Sequence, residues 1–250
     1  MRGMTRLPTL PACCTPLRAD WPMPQPLPGS VWRSTDFVPA QLGVDDFARS
    51  AIEMPASIQR SVAKRQAEFL AGRLCARAAL LQLDGTLGEP AIGEDRAPVW
   101  PAHISGAITH SNGRAAALVA LKRDWQGIGI DLENLLSAER AQRLAKEILT
   151  PAELERMAAS PAEHMALGVT LTFSIKESLF KALYPLVNTR FYFEHAEVLS
   201  WTPNGQVRLR LLTDLSEHWQ HGREIDGQFA LTDGQLLSLV AIHGSPHQRP

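Results

Sequence analysis

The stretch from Thr170 to Pro185 constrains the fold more than any other part of the chain. It reads TLTFSIKESLFKALYP, which is typical of an α-helix that is apolar on nearly every side. A helix of this kind is expected to be buried, yet it carries Lys176, Glu177 and Lys181. A buried charge is costly unless it is paired, hydrogen-bonded or bound to a metal. The sequence therefore predicts that other charged groups meet this helix along one edge.

Composition narrows the class of protein. The chain has 250 residues, which suits one large domain or two small ones. Its net charge of -1 gives no general electrostatic basis for binding nucleic acid or a membrane surface. Three cysteines do not indicate a disulfide framework, no apolar signal segment follows the early arginines, and no apolar run reaches the ~18 residues of a membrane span. We therefore expect a cytoplasmic protein that has no transmembrane segment and binds no nucleic acid.

The chain divides into three parts by sequence pattern. Residues 1–40 are rich in proline and are expected to be extended. Residues 41–125 and 126–250 are expected to form an N-terminal and a C-terminal half, because SNGRAAALVAL at 111–121 resembles TDGQLLSLVAI at 232–242 and a long helix precedes each. The predicted fold is α/β (α+β), with two similar halves in a pseudo-twofold arrangement, each a long helix packed on a mainly antiparallel sheet. A chance likeness between two hairpins is the alternative.

Local signals predict the helices and turns. Long helices are expected near 60–83 and 162–184, the second ending at Pro185 because proline breaks a helix interior. Asn112-Gly113 suits a type I′ hairpin turn. The other predicted hairpin turns are Asn204-Gly205 and Asp233-Gly234. The predicted helix N-caps are Ser137 and Thr150, the latter in a capping box with Glu153.

The predicted strand GIGIDLE carries two acids, Asp131 and Glu133, that share one face. Carboxylates about 7 Å apart along a strand repel each other unless a cation lies between them. Mg²⁺ prefers such oxygen ligands together with water and a substrate phosphate. A solvated polar face of an edge strand is the alternative interpretation of these two residues alone.

The apolar helix adds further charged groups to this pattern. Glu177 and Lys181 are four residues apart and therefore share a face of the helix. Glu177 can complete a three-carboxylate metal site with Asp131 and Glu133. Lys181 and Lys176 can then offset the negative charge or hold phosphate.

The first long helix shows a similar conflict between charge and burial. Gln66, Arg73 and Arg77 fall inside its apolar face, and an arginine there needs an anion, either an internal carboxylate or a ligand phosphate. Arg65 adds positive charge nearby. His110 precedes the predicted hairpin turn between two hydroxyl residues and is either structural or a phosphate ligand. Neither a Walker loop, a Gly-x-Gly-x-x-Gly motif nor a Cys/His zinc cluster occurs in the sequence.

GIGIDLE and FSIKESLFK together resemble the signature of the 4′-phosphopantetheinyl transferases. That signature is roughly Gly-x-Asp-x-Glu, then Trp/Phe-(Ser/Thr/Cys)-x-Lys-Glu-(Ala/Ser)-x-x-Lys. RQAEFLAGRLCARAAL and ITHSNGRAAALVA are similar to further motifs of the subgroup typified by enterobactin synthase component D, so that the resemblance covers about residues 60–242. Phe173 replaces a frequent Trp, and Ala107 and Thr109 replace a frequent Ser-x-Ser, which puts one phosphate hydrogen bond in doubt.

The resemblance implies a fold and a reaction. Two α/β halves would bind coenzyme A between them, so that a monomer suffices. Phosphopantetheine would pass from coenzyme A to a serine of an apo acyl, peptidyl or aryl carrier protein, as in siderophore, polyketide or fatty-acid biosynthesis, releasing adenosine 3′,5′-bisphosphate. A non-catalytic protein that binds coenzyme A or a carrier, and a Mg²⁺-dependent phosphohydrolase, are the alternatives.

Carried over to this sequence, the family's site consists of three sets of residues. Asp131, Glu133 and Glu177 would bind Mg²⁺, and Glu177 would also be the base, directly or through water. Lys181 would be catalytic by binding the pyrophosphate or the leaving phosphate. The residues expected to hold the phosphates of coenzyme A are Arg65, Arg73, His110, Lys176 and Lys181.

Overall fold

The structure, a computed structural model, describes residues 9–93, 97–161 and 164–244. Within these residues the chain forms ten strands and six α-helices. The strands are β1 (Ser30–Asp36), β2 (Ala91–Ile92), β3 (Pro98–Val99), β4 (Ile104–Ser111), β5 (Arg114–Leu121), β6 (Trp125–Asn134), β7 (Ala196–Trp201), β8 (Gln206–Leu211), β9 (Glu224–Thr232) and β10 (Gln235–His243). The helices are α1 (Asp46–Arg49), α2 (Ala56–Gln59), α3 (Ala63–Asp84), α4 (Ala138–Ile148), α5 (Pro151–Ala158) and α6 (His164–Val187).

The strands form antiparallel sheets, which confirms the predicted α+β class. The larger sheet has the order β6-β10-β9-β8-β7, a smaller sheet has the order β1-β5-β4, and β2 pairs with β3. In the larger sheet β10 pairs with β6 in a register that sets Ser238 opposite Asp131. The predicted pseudo-twofold relation and the boundaries at 40 and 125 stay predictions.

The chain forms two compact units. Among the described residues, the first comprises those up to Asp20 together with Val31–Val99 and Ile108–Ala117. The second comprises Trp21–Ser30, Trp100–Ala107 and the chain from Leu118 onward. The helices α1 to α3 belong to the first unit, and α4 to α6 with the five-stranded sheet belong to the second.

In the first unit, α3 supplies much of the core. Its buried small and apolar residues pack with apolar residues from the segments around it. The buried members of this core are Cys13, Cys14, Phe37, Phe47, Ile52, Ile58, Ala67, Leu70, Ala71, Leu74 and Ala115. The helix ends where Gly85 adopts a positive φ of 80° and donates its N–H to the Leu81 carbonyl. The first predicted long helix is therefore confirmed.

In the second unit, α6 packs on the five-stranded sheet. Apolar side chains of the helix and of the sheet interleave in one core. Its fully buried helical members are Leu171, Ile175, Leu179, Ala182 and Leu183. This arrangement confirms that the apolar helix identified in the sequence is enclosed by the rest of its domain.

The end of α6 differs from the prediction. Pro185 lies inside the helix, which continues to Val187. Proline lacks only its own N–H, and one turn later the Asn188 N–H still donates to the Tyr184 carbonyl at 2.9 Å. Asn188, with a positive φ of 51°, then ends the helix. Residues 162 and 163, where the helix was expected to begin, lie outside the described residues.

The predicted hairpin turns join β4 to β5, β7 to β8 and β9 to β10. Asn112 and Gly113 have φ of 39° and 84°, and positive values at both central residues confirm a type I′ turn. Asp233 and Gly234 show the same pattern, with φ of 52° and 74°.

The N-terminal segment includes the first strand. Residues 1–8 lie outside the described residues, and Ser30–Asp36 form β1. Between them, residues 21–30 lie on the second unit, where the Gln25 N–H donates to Gln228 Oε1 and Trp125 Nε1 donates to the Pro28 carbonyl. Specific hydrogen bonds therefore hold this proline-rich segment in place.

Candidate functional site

Strand β6 and helix α6 approach each other closely at two glycines. Gly127, Gly129, Asp131 and Glu133 alternate with apolar residues and so share one face of β6. A Cβ atom on Gly129 would overlap the Ser178 carbonyl oxygen of α6, and one on Gly127 would overlap the next turn of the helix. The GIG sequence therefore serves helix packing, and it places the acidic end of β6 against α6.

One carboxylate oxygen of Asp131 has a hydrogen-bond partner and the other has none. Lys181 Nζ lies 2.7 Å from Asp131 Oδ1 and 3.0 Å from the Ile130 carbonyl oxygen. Asp131 is only 6% exposed, and its Oδ2 is buried without any hydrogen-bond partner. A buried carboxylate oxygen without a partner costs free energy, and a cation would satisfy it.

The two glutamates predicted to join Asp131 resist ionisation. The pKa of Glu133 is raised to about 7, mainly by burial and also by the charges of Asp131 and Glu177, against the opposing effect of Lys181. Burial also raises the pKa of Glu177, with Lys181 opposing and Asp131 adding to this increase. The three carboxyl groups therefore act on one another electrostatically, as a shared cation site requires.

The three acids do not form a metal-binding cluster in the described part of the chain. In the part of the chain that the structure describes, no three His, Cys, Asp or Glu side chains form a ready-made metal cluster. The structure thus brings the predicted ligands to one face of α6 without showing a metal geometry.

Lys176 has a structural partner, which contradicts its predicted role in phosphate binding. Its side chain is 3% exposed, and its Nζ donates to Glu153 Oε2 at 2.7 Å. The same Nζ donates to the carbonyls of Ile148 and Phe193 at 3.0 and 2.9 Å. An ammonium group has three N–H donors, and protein acceptors take all three. Lys176 is therefore an internal counter-charge and no phosphate ligand in this structure.

Glu153, which the sequence indicated only as part of a capping box, completes this buried network. The reciprocal bonds between Thr150 and Glu153 confirm the capping box. Glu153 Oε1 also accepts the Val198 N–H. The pairing with Lys176 could not be found from sequence spacing, because 23 residues separate the two.

A cavity of about 220 Å³ opens beside Glu177 in the second unit. Its walls are mostly aromatic, with Arg190 as an exposed charged member. The lining residues are Lys176, Glu177, Phe180, Arg190, Phe191, Tyr192, Phe193 and Ala196. Aromatic side chains next to a carboxyl group give this cavity an apolar wall and a polar wall.

The first unit holds a second cavity, of about 250 Å³, where the predicted phosphate ligands Arg65, Arg73 and His110 meet. Arg65 Nη1 lies 2.9 Å from His110 Nε2. Glu68, which the sequence analysis missed, lies 3.6 Å from Arg65 and 3.7 Å from His110 Nδ1. Its position three residues after Arg65, on the same helix face, is the signal that could have identified it.

Arg73 is the least satisfied cation in this cavity. It is 4% exposed, its Nη1 has no hydrogen-bond partner, and its guanidinium lies 5.0 Å from the Phe69 ring. Burial lowers the pKa of Arg73 to about 10, with some opposing attraction from Glu89. A guanidinium held this way is suited to an incoming anion.

The other two polar residues of the α3 stripe are satisfied by main-chain carbonyls. Arg77 Nη1 donates to Ser50 at 2.6 Å and to Ala51 at 3.1 Å. Gln66 Nε2 donates to carbonyl groups that precede the helix, those of Ile58, Gln59 and Ser61. Arg73 differs from these two residues because it has a buried donor without a partner.

Comparison with known proteins gives the same family over most of the chain. Residues 53–120 match the 4′-phosphopantetheinyl transferase N-terminal domain, and residues 127–233 match the 4′-phosphopantetheinyl transferase superfamily.

No helix among the described residues has the length and hydrophobicity to cross a membrane.

Individual relatives agree with this assignment. Enterobactin synthase component D of Escherichia coli (strain K12) is 37% identical over 78% of this chain and 90% of its own length. The 4′-phosphopantetheinyl transferases Svp of Streptomyces mobaraensis and Npt of Nocardia iowensis are 34% and 32% identical, over 76% and 74% of this chain and 77% and 85% of their own lengths. The chain belongs to the 4′-phosphopantetheinyl transferase family, in the subgroup that resembles enterobactin synthase component D.

Proposed function

We propose that the protein transfers 4′-phosphopantetheine from coenzyme A to a serine of an apo carrier protein in a Mg²⁺-dependent reaction. The observation that carries this proposal is the buried, unpartnered Oδ2 of Asp131 beside two further carboxyl groups and Lys181. Family membership supplies the reaction class, and the site supplies residues suited to it.

The donor set fits a hard divalent cation. Asp131, Glu133 and Glu177 offer carboxylate oxygens, and Asp131 Oδ2 lacks any other partner. When bound, Mg²⁺ neutralises charge on the pyrophosphate oxygens of coenzyme A. Binding also favours the ionised form of Glu133 and Glu177, whose pKa values burial raises.

The covalent step needs a base and a group that steadies the leaving phosphate. The serine oxygen attacks the phosphorus on the pantetheine side of the pyrophosphate. The bond between that phosphorus and the bridging oxygen breaks. Glu177 accepts the serine proton, directly or through water, and adenosine 3′,5′-bisphosphate leaves with the bond electrons. Lys181 uses two N–H groups for Asp131 and Ile130, and we assign the third to the pyrophosphate or the leaving phosphate.

Each unit has a cavity whose lining suits groups that coenzyme A carries. In the first unit, Arg65, Arg73 and His110 are assigned to the nucleotide phosphates, including the 3′-phosphate. In the second unit, the cavity beside Glu177 has aromatic walls that can pack against the methyl and methylene groups of the pantetheine arm.

The natural partner is assigned by class. Relatives named enterobactin synthase component D support the carrier proteins of siderophore synthetases as substrates, and we extend this to other acyl and peptidyl carriers, including that of fatty-acid biosynthesis. The protein is further proposed to act in the cytoplasm as a monomer.

Mass spectrometry of the carrier tests this function. Wild-type protein is incubated with coenzyme A, Mg²⁺ and a panel of apo acyl and peptidyl carriers, with each carrier's serine-to-alanine variant as control. We expect a gain of one phosphopantetheine group on the serine-containing carriers. Binding of coenzyme A or carrier without any gain across the panel would support a non-catalytic protein instead.

A further inference from the structure

Three serine hydroxyls meet beneath the candidate metal ligands, in a part of the second unit that water does not reach. Ser174 and Ser178 of α6 and Ser238 of β10 are each 0% exposed. Ser238 Oγ lies 2.8 Å from Ser174 Oγ and 2.8 Å from Ser178 Oγ. We call these three residues the serine cluster.

The serine cluster is hydrogen-bonded to the main chain of both neighbouring strands. Ser174 Oγ donates to the Asp131 carbonyl oxygen at 3.3 Å, and Ser178 Oγ donates to the Ser238 carbonyl oxygen at 3.2 Å. The Ser238 hydroxyl can then donate to either helical serine, so that each hydroxyl proton has an acceptor. The cluster ties α6 directly to the residue that carries the unpartnered carboxylate oxygen.

The cluster lies on the same helix turns as the charged residues of the site. Glu177 follows Ser174 by three residues, and Lys181 follows Ser178 by three residues. The Ser178 carbonyl oxygen is also the atom that rests against Gly129. Any shift of α6 along or away from β6 would therefore move Glu177 and Lys181 relative to Asp131.

Packing alone does not require hydroxyl groups at these positions. Alanine would fill nearly the same space, and a buried hydroxyl costs free energy unless it is hydrogen-bonded. A hydrogen bond differs from an apolar contact in that it fixes distance and direction. Three mutually bonded hydroxyls at this point therefore indicate a constraint on the position of α6.

We propose that the serine cluster is a positioning device: it fixes α6 against β6 and so fixes where Glu177 lies relative to Asp131, its neighbour in the proposed cation site. This inference rests on the proposed metal site. Groups that hold metal ligands in place typically change metal affinity by 10–100-fold when they are removed. We expect an effect near the lower end for one hydroxyl, about tenfold.

The test measures Mn²⁺ binding to the full chain by the loss of the free Mn²⁺ EPR signal, with coenzyme A in excess and a protein-free blank. The variants are Ser174→Ala and Ser238→Ala. The matched control is Ser105→Ala, because Ser105 is also buried and also donates to a β6 carbonyl, that of Trp125, without contacting the acids. Denaturant unfolding of each variant measures its stability.

Weakening of Mn²⁺ binding by about tenfold in Ser174→Ala and Ser238→Ala, with wild-type binding in Ser105→Ala at a similar stability, is the expected result. Wild-type binding in both cluster variants, or equal weakening in all three variants, would overturn the positioning role. If Ser174→Ala does not fold, the result for Ser238→Ala tests the proposal by itself. In that variant the hydroxyls of Ser174 and Ser178 keep their main-chain carbonyl acceptors. Absence of Mn²⁺ binding by the wild type would instead overturn the metal site itself, and the inference with it.

Discussion

At the scale of single residues, two buried charged side chains stand out because each keeps one atom without a partner. Asp131 Oδ2 lies in the second unit and Arg73 Nη1 lies in the first. One atom is an acceptor suited to a cation, and the other is a donor suited to an anion. Each residue therefore gives a prediction about a different part of the proposed reaction.

Replacing Asp131 by alanine is predicted to lower turnover by at least ~100-fold, because the site loses the group that positions the cation. Asp226→Ala is the matched control, since Asp226 is an exposed carboxylate of the same sheet, paired with Arg208. Steady-state rates of carrier modification measure the activity of both variants. Full wild-type activity in excess EDTA would show that no divalent cation is needed.

Replacing Arg73 by alanine is predicted to remove the preference for coenzyme A over dephospho-coenzyme A. A charged and desolvated hydrogen bond to the 3′-phosphate contributes ~1.5–3 kcal/mol, which is a preference of about tenfold or more in kcat/KM. Arg77→Ala is the control on the same helix, because Arg77 is bound to main-chain carbonyls and should leave the ratio unchanged. An Arg73 variant that still discriminates like the wild type contradicts the assignment.

At the scale of elements, the contact between β6 and α6 determines where the acids and Lys181 meet. The contact depends on residues without bulky side chains: Gly127 and Gly129 on the strand, and the Ser178 main chain on the helix. Because protein interiors are close-packed, added atoms at this contact must displace the helix.

The change Gly129→Ala is predicted to destabilise the fold by about 3 kcal/mol, the upper end for overpacking, because the new methyl overlaps the Ser178 carbonyl. Gly234→Ala serves for comparison, since its Cβ meets nothing within 4 Å and only its positive φ of 74° opposes the change. That strain costs about 1–2 kcal/mol. Chemical denaturation measures the stability of both variants, and the Gly129 variant should be the less stable of the two. A Gly129 variant as stable as the Gly234 variant would contradict the close contact.

Lys176 and Glu153 join α6 to α5 and give a second prediction at this scale. Lys176→Met is predicted to cost about 3–5 kcal/mol of unfolding free energy, because it leaves the Glu153 carboxylate buried without its counter-charge. The double variant Lys176→Met/Glu153→Gln should recover part of this loss, since the amide oxygen still accepts a main-chain N–H. A single variant with unchanged denaturation midpoint would show that the pair does not matter for stability.

At the scale of the whole molecule, the sequence predicted the longer helices α3 to α6 and the hairpin turns, and it did not predict the short helices α1 and α2. Periodicity found α3 and α6 because their apolar residues had to be buried, and Asn112-Gly113 identified a turn that needs positive φ at both residues. The same desolvation argument could not show that Lys176 pairs with an internal acid while Lys181 lies beside the candidate metal ligands. Which cation meets an internal acid depends on Glu153, which only the tertiary fold brings near.

The end of α6 and the serine cluster show the same limit. Pro185 is tolerated because it lies in the last turn, where few hydrogen bonds remain to be lost. Ser238 reaches Ser174 only through the register of β10 against β6. A local sequence pattern encodes neither fact, because the first depends on where the helix ends and the second on the pairing of distant strands.

The most direct test of phosphopantetheine transfer is a measurement of both products in one reaction. Wild-type protein, coenzyme A, Mg²⁺ and an apo carrier are incubated, and modified carrier is counted by mass spectrometry while adenosine 3′,5′-bisphosphate is counted by chromatography. We predict equal amounts of the two products at every time point, and neither product when Glu177 is replaced by Gln. Release of the nucleotide without modification of any carrier would show hydrolysis of coenzyme A and contradict transfer.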